Sequence, residues 1–152
     1  DETLAVEAPI HGDRLARIVG RRCGMQKVVA ARAKQILDIV PAELREKTEL
    51  GLFIWSASRA ADDWTAFRST PAEVKDRQIG HIAPQEILNA ILHVVGSAFA
   101  VEPEELIKET SKALGFAKCG TLVRKRIEAV LTKAGDAGKL VSDGEMYRLP
   151  IL

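Results

Sequence analysis

Five cations crowd one short stretch of this chain: Lys118, Arg124, Lys125, Arg126 and Lys133, opposed within 117–134 only by Glu128. The apolar residues Val123, Ile127, Val130 and Leu131 recur there at helical spacing. At 100° per residue, Lys118, Thr121, Lys125 and Thr132 fall opposite that stripe, and Arg124 and Arg126 fall on its flanks. Such a helix can lay its cations against phosphates, while a hydroxyl such as that of Thr121 reaches a base edge. The same pattern also describes the solvated face of an ordinary amphipathic helix. A second basic group, Arg14, Arg17 and Arg21, shares one helical face and is a candidate phosphate-contacting ridge, diluted by the nearby Asp13. DNA is therefore the expected partner, through the basic helix of 117–134, with Arg14, Arg17 and Arg21 as further candidates for which the solvated-face reading is favoured.

Other chemistry finds little footing. His11, His81 and His93 have neither metal-ligand nor catalytic-triad spacing; His11 is expected to be exposed and His93 to sit at the edge of the core. Asp62, Asp63, Glu73 and Asp76 form no spaced carboxylate pair. Gly20 and Gly24 lack the Lys-Ser/Thr of a phosphate-binding loop. Neither cysteine lies in a CxxC or beside histidine, and Cys23 and Cys119 are expected to be small core hydrophobes in a reducing, cytoplasmic setting. The sequence predicts no catalysis, metal, cofactor or small-molecule substrate. A stand-alone hydrolase has nothing to support it.

The elements that would position these residues occur twice, 91 residues apart. Ile10 answers to Val101, Leu15 to Leu106, Gly24 to Gly115, Lys27 to Lys118, Lys34 to Lys125, Ile36 to Ile127 and Val40 to Leu131. Trp55 and Tyr147 follow one residue out of step. Each copy reads as short helix, Gly-hydrophobe turn, basic helix, then strands ending in an aromatic. Repetition of this kind favours a tandem binding module over an enzyme.

In the first copy, residues 1–9 read as a lead-in. A helix is expected from Gly12 to about Cys23, a second from about Lys27 to Val40, and a strand over Glu49–Trp55 that Trp64–Phe67 pairs back onto. The second copy reads more cleanly. Pro84 opens a helix with Ile87, Ile91, Val94, Val95 and Ala98 inward; a second helix starts around Pro103 and closes at Gly115; a third runs from about Cys119 to Ala134. Lys139–Ser142 and Glu145–Leu149 flank Asp143-Gly144 as a hairpin with a two-residue turn.

The expected fold is mainly α with small β-hairpins: tandem winged-helix-like repeats, the second complete and the first lacking its first helix. The first copy spans 1–68, a linker 69–80, and the second copy 81–152. The helix 84–98, shifted back by 91, falls largely ahead of Asp1, so either it lies upstream or something else covers the strip Leu15, Val19, Ile36 and Val40. The chain opens Asp-Glu-Thr without Met and is expected to be a piece of a longer protein.

Composition sets bounds on these readings. The 152 residues are 47% hydrophobic, 28% charged and only 5% aromatic, as suits a helical core of aliphatic side chains. A net charge of +1 gives no bulk attraction for nucleic acid, so any such binding must come from local clusters. No apolar run approaches a membrane span, so no membrane partner is expected.

Val6-Glu7-Ala8-Pro9-Ile10-His11, followed by a helix and Gly24-Met25, resembles the Glu-Gly-Pro-Ile-His…Gly signature of a bacterial C-terminal domain of unknown function. That domain ends large superfamily I DNA helicase proteins that also carry a restriction-endonuclease-like nuclease domain. Ile82-Ala83-Pro84-Gln85-Glu86-Ile87, Glu105-Leu106-Ile107 and Leu114-Gly115-Phe116-Ala117-Lys118 are similar to the extreme C-terminus of the same proteins. The family turn reads Arg-x-Gly. Here the second copy has Lys118-Cys119-Gly120, and the first has Lys27-Val28-Val29, without the glycine. The resemblance implies a non-catalytic module that binds or positions DNA for a helicase–nuclease, whose motor and nuclease motifs lie outside this piece. The alternative is an interaction module docking onto the parent protein's other domains, another subunit or a second copy.

Overall fold

The computed structural model describes residues 2–57, 64–71 and 77–151, and is mainly helical with small antiparallel strand pairs. Two compact units emerge. The first holds α1 (Glu2–Glu7), β1 (Ile10–His11), α2 (Gly12–Arg22), α3 (Ala30–Asp38), β2 (Arg45–Thr48) and β3 (Gly51–Ile54). The second holds α4 (Pro84–Ala98), α5 (Pro103–Ala113), α6 (Thr121–Asp136), β4 (Val141–Ser142) and β5 (Tyr147–Arg148).

The order of elements is the same in both. α2 and α5 begin and end 91 residues apart, and α3 and α6 begin 91 apart. The turn that follows α2 and α5 is also built alike. Gly24 and Gly115 both adopt positive φ, at 77° and 94°. Met25 N–H donates to the Gly20 carbonyl at 2.9 Å, and Phe116 N–H to the Ser111 carbonyl at 3.1 Å. A glycine in the left-handed region, followed by that return hydrogen bond, closes a helix and releases the chain toward the next one.

The strands follow a common order too. β1 and β2 flank β3, with Ile10 opposite Ile54 and Arg45 opposite Ile54. In the second unit Val101 bridges Tyr147, and Ser142 pairs with Tyr147 on the other side. Tyr147 therefore answers to Ile54, not to Trp55 as the sequence spacing suggests. The slip arises because α6 runs to Asp136, whereas α3 stops at Asp38 ahead of Pro41. Arg45 closes that shorter helix by donating to the Asp38 and Val40 carbonyls, at 2.9 and 2.7 Å.

Several expectations are corrected. Residues 2–7 are a helix rather than a lead-in, so the first unit has a first helix, although a short one. β2 was not anticipated, and β3 pairs with β1 and β2, not with 64–67. Trp64 is instead buried edge-to-face against Trp55, with ring centroids 5.9 Å apart, in a cluster with Phe53 and Ala83. Cys23 is exposed because it follows the last turn of α2; Cys119 is half-buried. The hairpin around Asp143-Gly144 has four loop residues, not two. The Asp143 carboxylate accepts the N–H groups of Glu145 and Met146, at 3.0 and 2.8 Å, and holds the loop wider.

Of the expected linker 69–80, residues 72–76 lie outside the described residues. Ser69–Pro71 belongs to the second unit and Arg77–Gly80 to the first. The bond of Thr70 N–H to the Leu114 carbonyl, 2.9 Å, holds the chain over the α5 turn. Glu86, fully buried in the first turn of α4, receives the Arg68 backbone N–H at 3.2 Å and its guanidinium at 3.1 and 3.2 Å. Asn89 donates to the Ala66 carbonyl at 2.8 Å. Residues 65–71 are thus a strap on α4 and α5, secured by groups whose burial requires their hydrogen bonds.

The two turn glycines differ in surroundings. A Cβ at Gly24 would meet nothing within 4 Å, whereas one at Gly115 would lie 2.1 Å from the Thr70 carbonyl oxygen. Gly24→Ala should therefore cost about 1 kcal/mol, the penalty of a side chain at positive φ. Gly115→Ala should cost a further 1–3 kcal/mol, roughly the cost of overpacking, because the strap must move. Urea melts followed by circular dichroism check the difference; equal losses would show that the strap does not press on this turn.

Candidate nucleic-acid interface

The interface has to be built on α6, because that helix separates its faces cleanly. Val123, Ile127, Val130, Leu131 and Ala134 are all buried, as their spacing predicts. Thr121 and Lys125 lie outward on α6, and Lys118 stands exposed in the turn before it. Arg126 is half-buried on the flank. Among the described residues, none of Lys118, Thr121, Lys125 and Arg126 has a side-chain hydrogen bond or an ion pair. Gly120 is extended at the helix start and offers no side-chain cap, so backbone N–H groups of the first turn also face outward with the positive end of the helix dipole. Leu122, 74% exposed, lies beside them.

Arg124 is different. Its guanidinium forks onto Glu104 of α5, Nη1 to Oε1 at 3.0 Å and Nη2 to Oε2 at 2.7 Å, with Glu128 at 3.5 Å on the other flank. Hydrogen bonding by Arg124, reinforced by its charge, holds the Glu104 carboxyl below the usual carboxylate range. The same bond to Glu104 raises the guanidinium above its ordinary value. A cation expected on the flank of the DNA-contacting face is thus neutralised by a neighbouring helix. Its place is to hold α5 against α6 and so fix the angle at which Lys118 and Lys125 are presented.

The first basic group does not survive as a ridge. Arg14 is buried, 7% exposed, and its Nη1 donates to the Glu7 carboxylate of α1. Arg17 is half-buried; its Nε and Nη2 are shielded from solvent and have no hydrogen-bond partner among the described residues. Only Arg21 is exposed, and it too is engaged. α2 lies close enough to α1 and β1 for its basic face to be drawn inward, a tertiary effect that helical spacing cannot register.

Histidine placement also departs from expectation. His11 is buried and caps α2: its Nδ1 accepts the Asp13 N–H at 3.2 Å, and its Nε2 lies 3.0 Å from the Leu50 carbonyl oxygen. The ring packs edge-on against Phe53. The cue missed was position, since a residue one place ahead of a helix start is a capping residue. His93 is exposed on α4 against Phe67, ring centroids 5.4 Å apart.

The hairpin of the second unit adds little positive charge. Arg148 pairs with Asp143 at 3.2 Å, and hydrogen bonds from the Met146 and Glu145 backbone N–H groups keep the Asp143 carboxyl below its ordinary value. Among the described residues there is no group of three His, Cys, Asp or Glu side chains arranged to hold a metal, and no helix long and apolar enough to cross a membrane. Comparison with family models, curated proteins and solved structures gives no match to this chain.

The Glu104–Arg124 fork makes a pH prediction. A carboxyl held low by folding contributes stability that is present above the ordinary carboxylate range and lost as pH falls through its depressed value. Arg124→Gln should return Glu104 to that ordinary range in a carbon-13 titration and flatten the acid limb of stability. An unchanged Glu104 titration would show that the pair does not persist in solution.

Proposed function

We propose that both units are winged-helix modules and that the second binds duplex DNA through α6 without catalysis. Each has the element order of that fold: helix, strand, helix, turn, helix and a strand pair. The observation that carries the binding proposal is the outer face of α6. There Lys118, Thr121 and Lys125 stand exposed beside an uncapped helix start, with no partner among the described residues. Placed in a major groove, the lysines meet phosphates, and Thr121, first residue of the helix, is the side chain nearest a base edge. Arg124 acts as a positioning residue. With Arg14 buried, the first unit contributes little to DNA binding.

A module of this kind grips and orients DNA for a motor or nuclease carried elsewhere. That role agrees with the resemblance to the C-terminal domain of helicase–nuclease proteins, and a cytoplasmic setting belongs to the same proposal. Only a few cations on this face lack a partner among the described residues, so the interface reaches few phosphates and affinity should be modest and salt-dependent.

Lys118→Ala, Lys125→Ala and Arg126→Ala together should weaken duplex binding in gel shifts at low salt. The log–log salt slope should fall by about one unit for each phosphate that the chain no longer neutralises. Arg124→Gln should leave that slope close to the unsubstituted chain's. No binding by the unsubstituted chain at low salt, or a salt slope indifferent to the triple substitution, would rule out α6 as the DNA-binding element.

A further inference from the structure

An open cavity of about 360 Å³ lies within the first unit, where α2 meets α3 and residues 78–81. Asp13 and Arg17 of α2 line it, with Ala30 and Ala33 of α3 and with Gln78 and His81. Arg17 is the residue that needs a partner. Its Nε and Nη2 are shielded from solvent and have no hydrogen bond among the described residues. These two nitrogens form one edge of the guanidinium, a pair of parallel N–H donors that matches the two oxygens of an oxyanion. Donors held out of water without an acceptor carry a desolvation penalty, which an incoming acceptor relieves. The arginine stem has several rotatable bonds, so the edge turns readily into the cavity that the residue already lines.

The second unit shows how the equivalent cleft is closed from within. Ninety-one residues on, Asp13 answers to Glu104, Ala33 to Arg124 and Arg17 to Lys108. There the Arg124 guanidinium crosses from α6 to α5 and forks onto Glu104, while Lys108 pairs with Glu105 at 3.7 Å. In the first unit the α3 position is Ala33, too short to cross, and the guanidinium stands on α2 without a carboxylate. Asp13, one turn ahead of Arg17, does not supply it. Its carboxylate is 75% exposed and lies toward the His11 ring, Oδ2 3.9 Å from Nδ1. The start of α3 also favours an anion, because Val29 gives no side-chain cap and the backbone N–H groups of Ala30 and Ala31 have no acceptor within the helix.

We propose that this cavity binds a small carboxylate, its two oxygens taken by the Nε–Nη2 edge of Arg17 and its charge facing the start of α3. The ligand then supplies from outside the carboxylate that Glu104 supplies from within the second unit. Asp13 sets the selectivity. A ligand with two negative charges meets repulsion from its carboxylate, so the site favours a monoanion over a phosphate dianion. The inference is independent of the DNA reading, because none of the cavity residues belongs to α6.

The test titrates sodium acetate into the full chain at constant ionic strength, with nitrogen-15 NMR following the Arg17 Nε–H and the backbone amides of Ala30 and Ala33. These signals should shift together and saturate in the millimolar range. Arg17→Lys keeps the charge but loses the fork, and should weaken acetate about tenfold on the Ala30 amide. Ala33→Leu fills the cavity without altering any charge, and should abolish the shift of the Arg17 Nε–H while the amides of α6 stay where they were. Inorganic phosphate should bind more weakly than acetate. An Arg17 Nε–H that does not move with acetate would overturn the proposal, as would binding indifferent to Arg17→Lys or to Ala33→Leu. Phosphate binding the tighter of the two would overturn it as well, because the site would then not select a carboxylate.

Discussion

Two amphipathic helices joined by a tight turn expose an apolar face that they cannot bury against each other alone, and most features of this protein follow from how that face is covered. In the second unit a fifteen-residue helix covers it, and the helix pair has a sealed aliphatic core. In the first unit a six-residue helix covers part of it, and β3 with its partners seals the other side through Ile10 and Ile54. Because burial of each aliphatic side chain is worth about 1.5–3 kcal/mol, the second pair is the better-anchored platform. A recognition helix must hold its orientation to present cations at fixed spacing, so the better-covered pair is also the better candidate for binding DNA.

Electrostatics divides the basic residues by the same geometry. Arg124 and Arg14 are both captured by a glutamate on an adjacent helix, Glu104 and Glu7 respectively. The exposed Arg124–Glu104 pair orients its helices more than it stabilises them, since exposed ion pairs are worth little, whereas Arg14 is buried against a half-buried Glu7. What remains on α6 is a small group of cations with no partner among the described residues. Their number, not the net charge, sets the electrostatic contribution open to a polyanion.

The strap 65–71 shows how a segment with no periodic pattern becomes structure. Its backbone has no sheet to join, so Glu86, Asn89 and the Leu114 carbonyl satisfy it from α4 and the α5 turn. A carboxylate at zero exposure is tolerable in the first turn of a helix because the Arg68 guanidinium and a backbone N–H neutralise it and saturate its oxygens. Gly115 serves two purposes in that arrangement: it closes α5 and leaves the space that Thr70 occupies.

The sequence by itself determined the helices α2 to α6, the 91-residue spacing of the two copies, the turn glycines and the inward stripe of α6, but not α1, which it read as a lead-in. Each of these depends on local periodicity or on a backbone conformation that glycine alone adopts readily. It also marked the strip Leu15, Val19, Ile36 and Val40 as needing cover. Only the tertiary structure decided which cations are neutralised, since Glu7 and Glu104 reach Arg14 and Arg124 from other helices. It alone paired β3 between β1 and β2, placed Tyr147 opposite Val101, and bound residues 65–71 to α4, because strand partners and buried polar groups join positions far apart in the chain. The burial of His11 belongs there as well: its ring answers Leu50, thirty-nine residues away, and no pattern around position 11 encodes that neighbour.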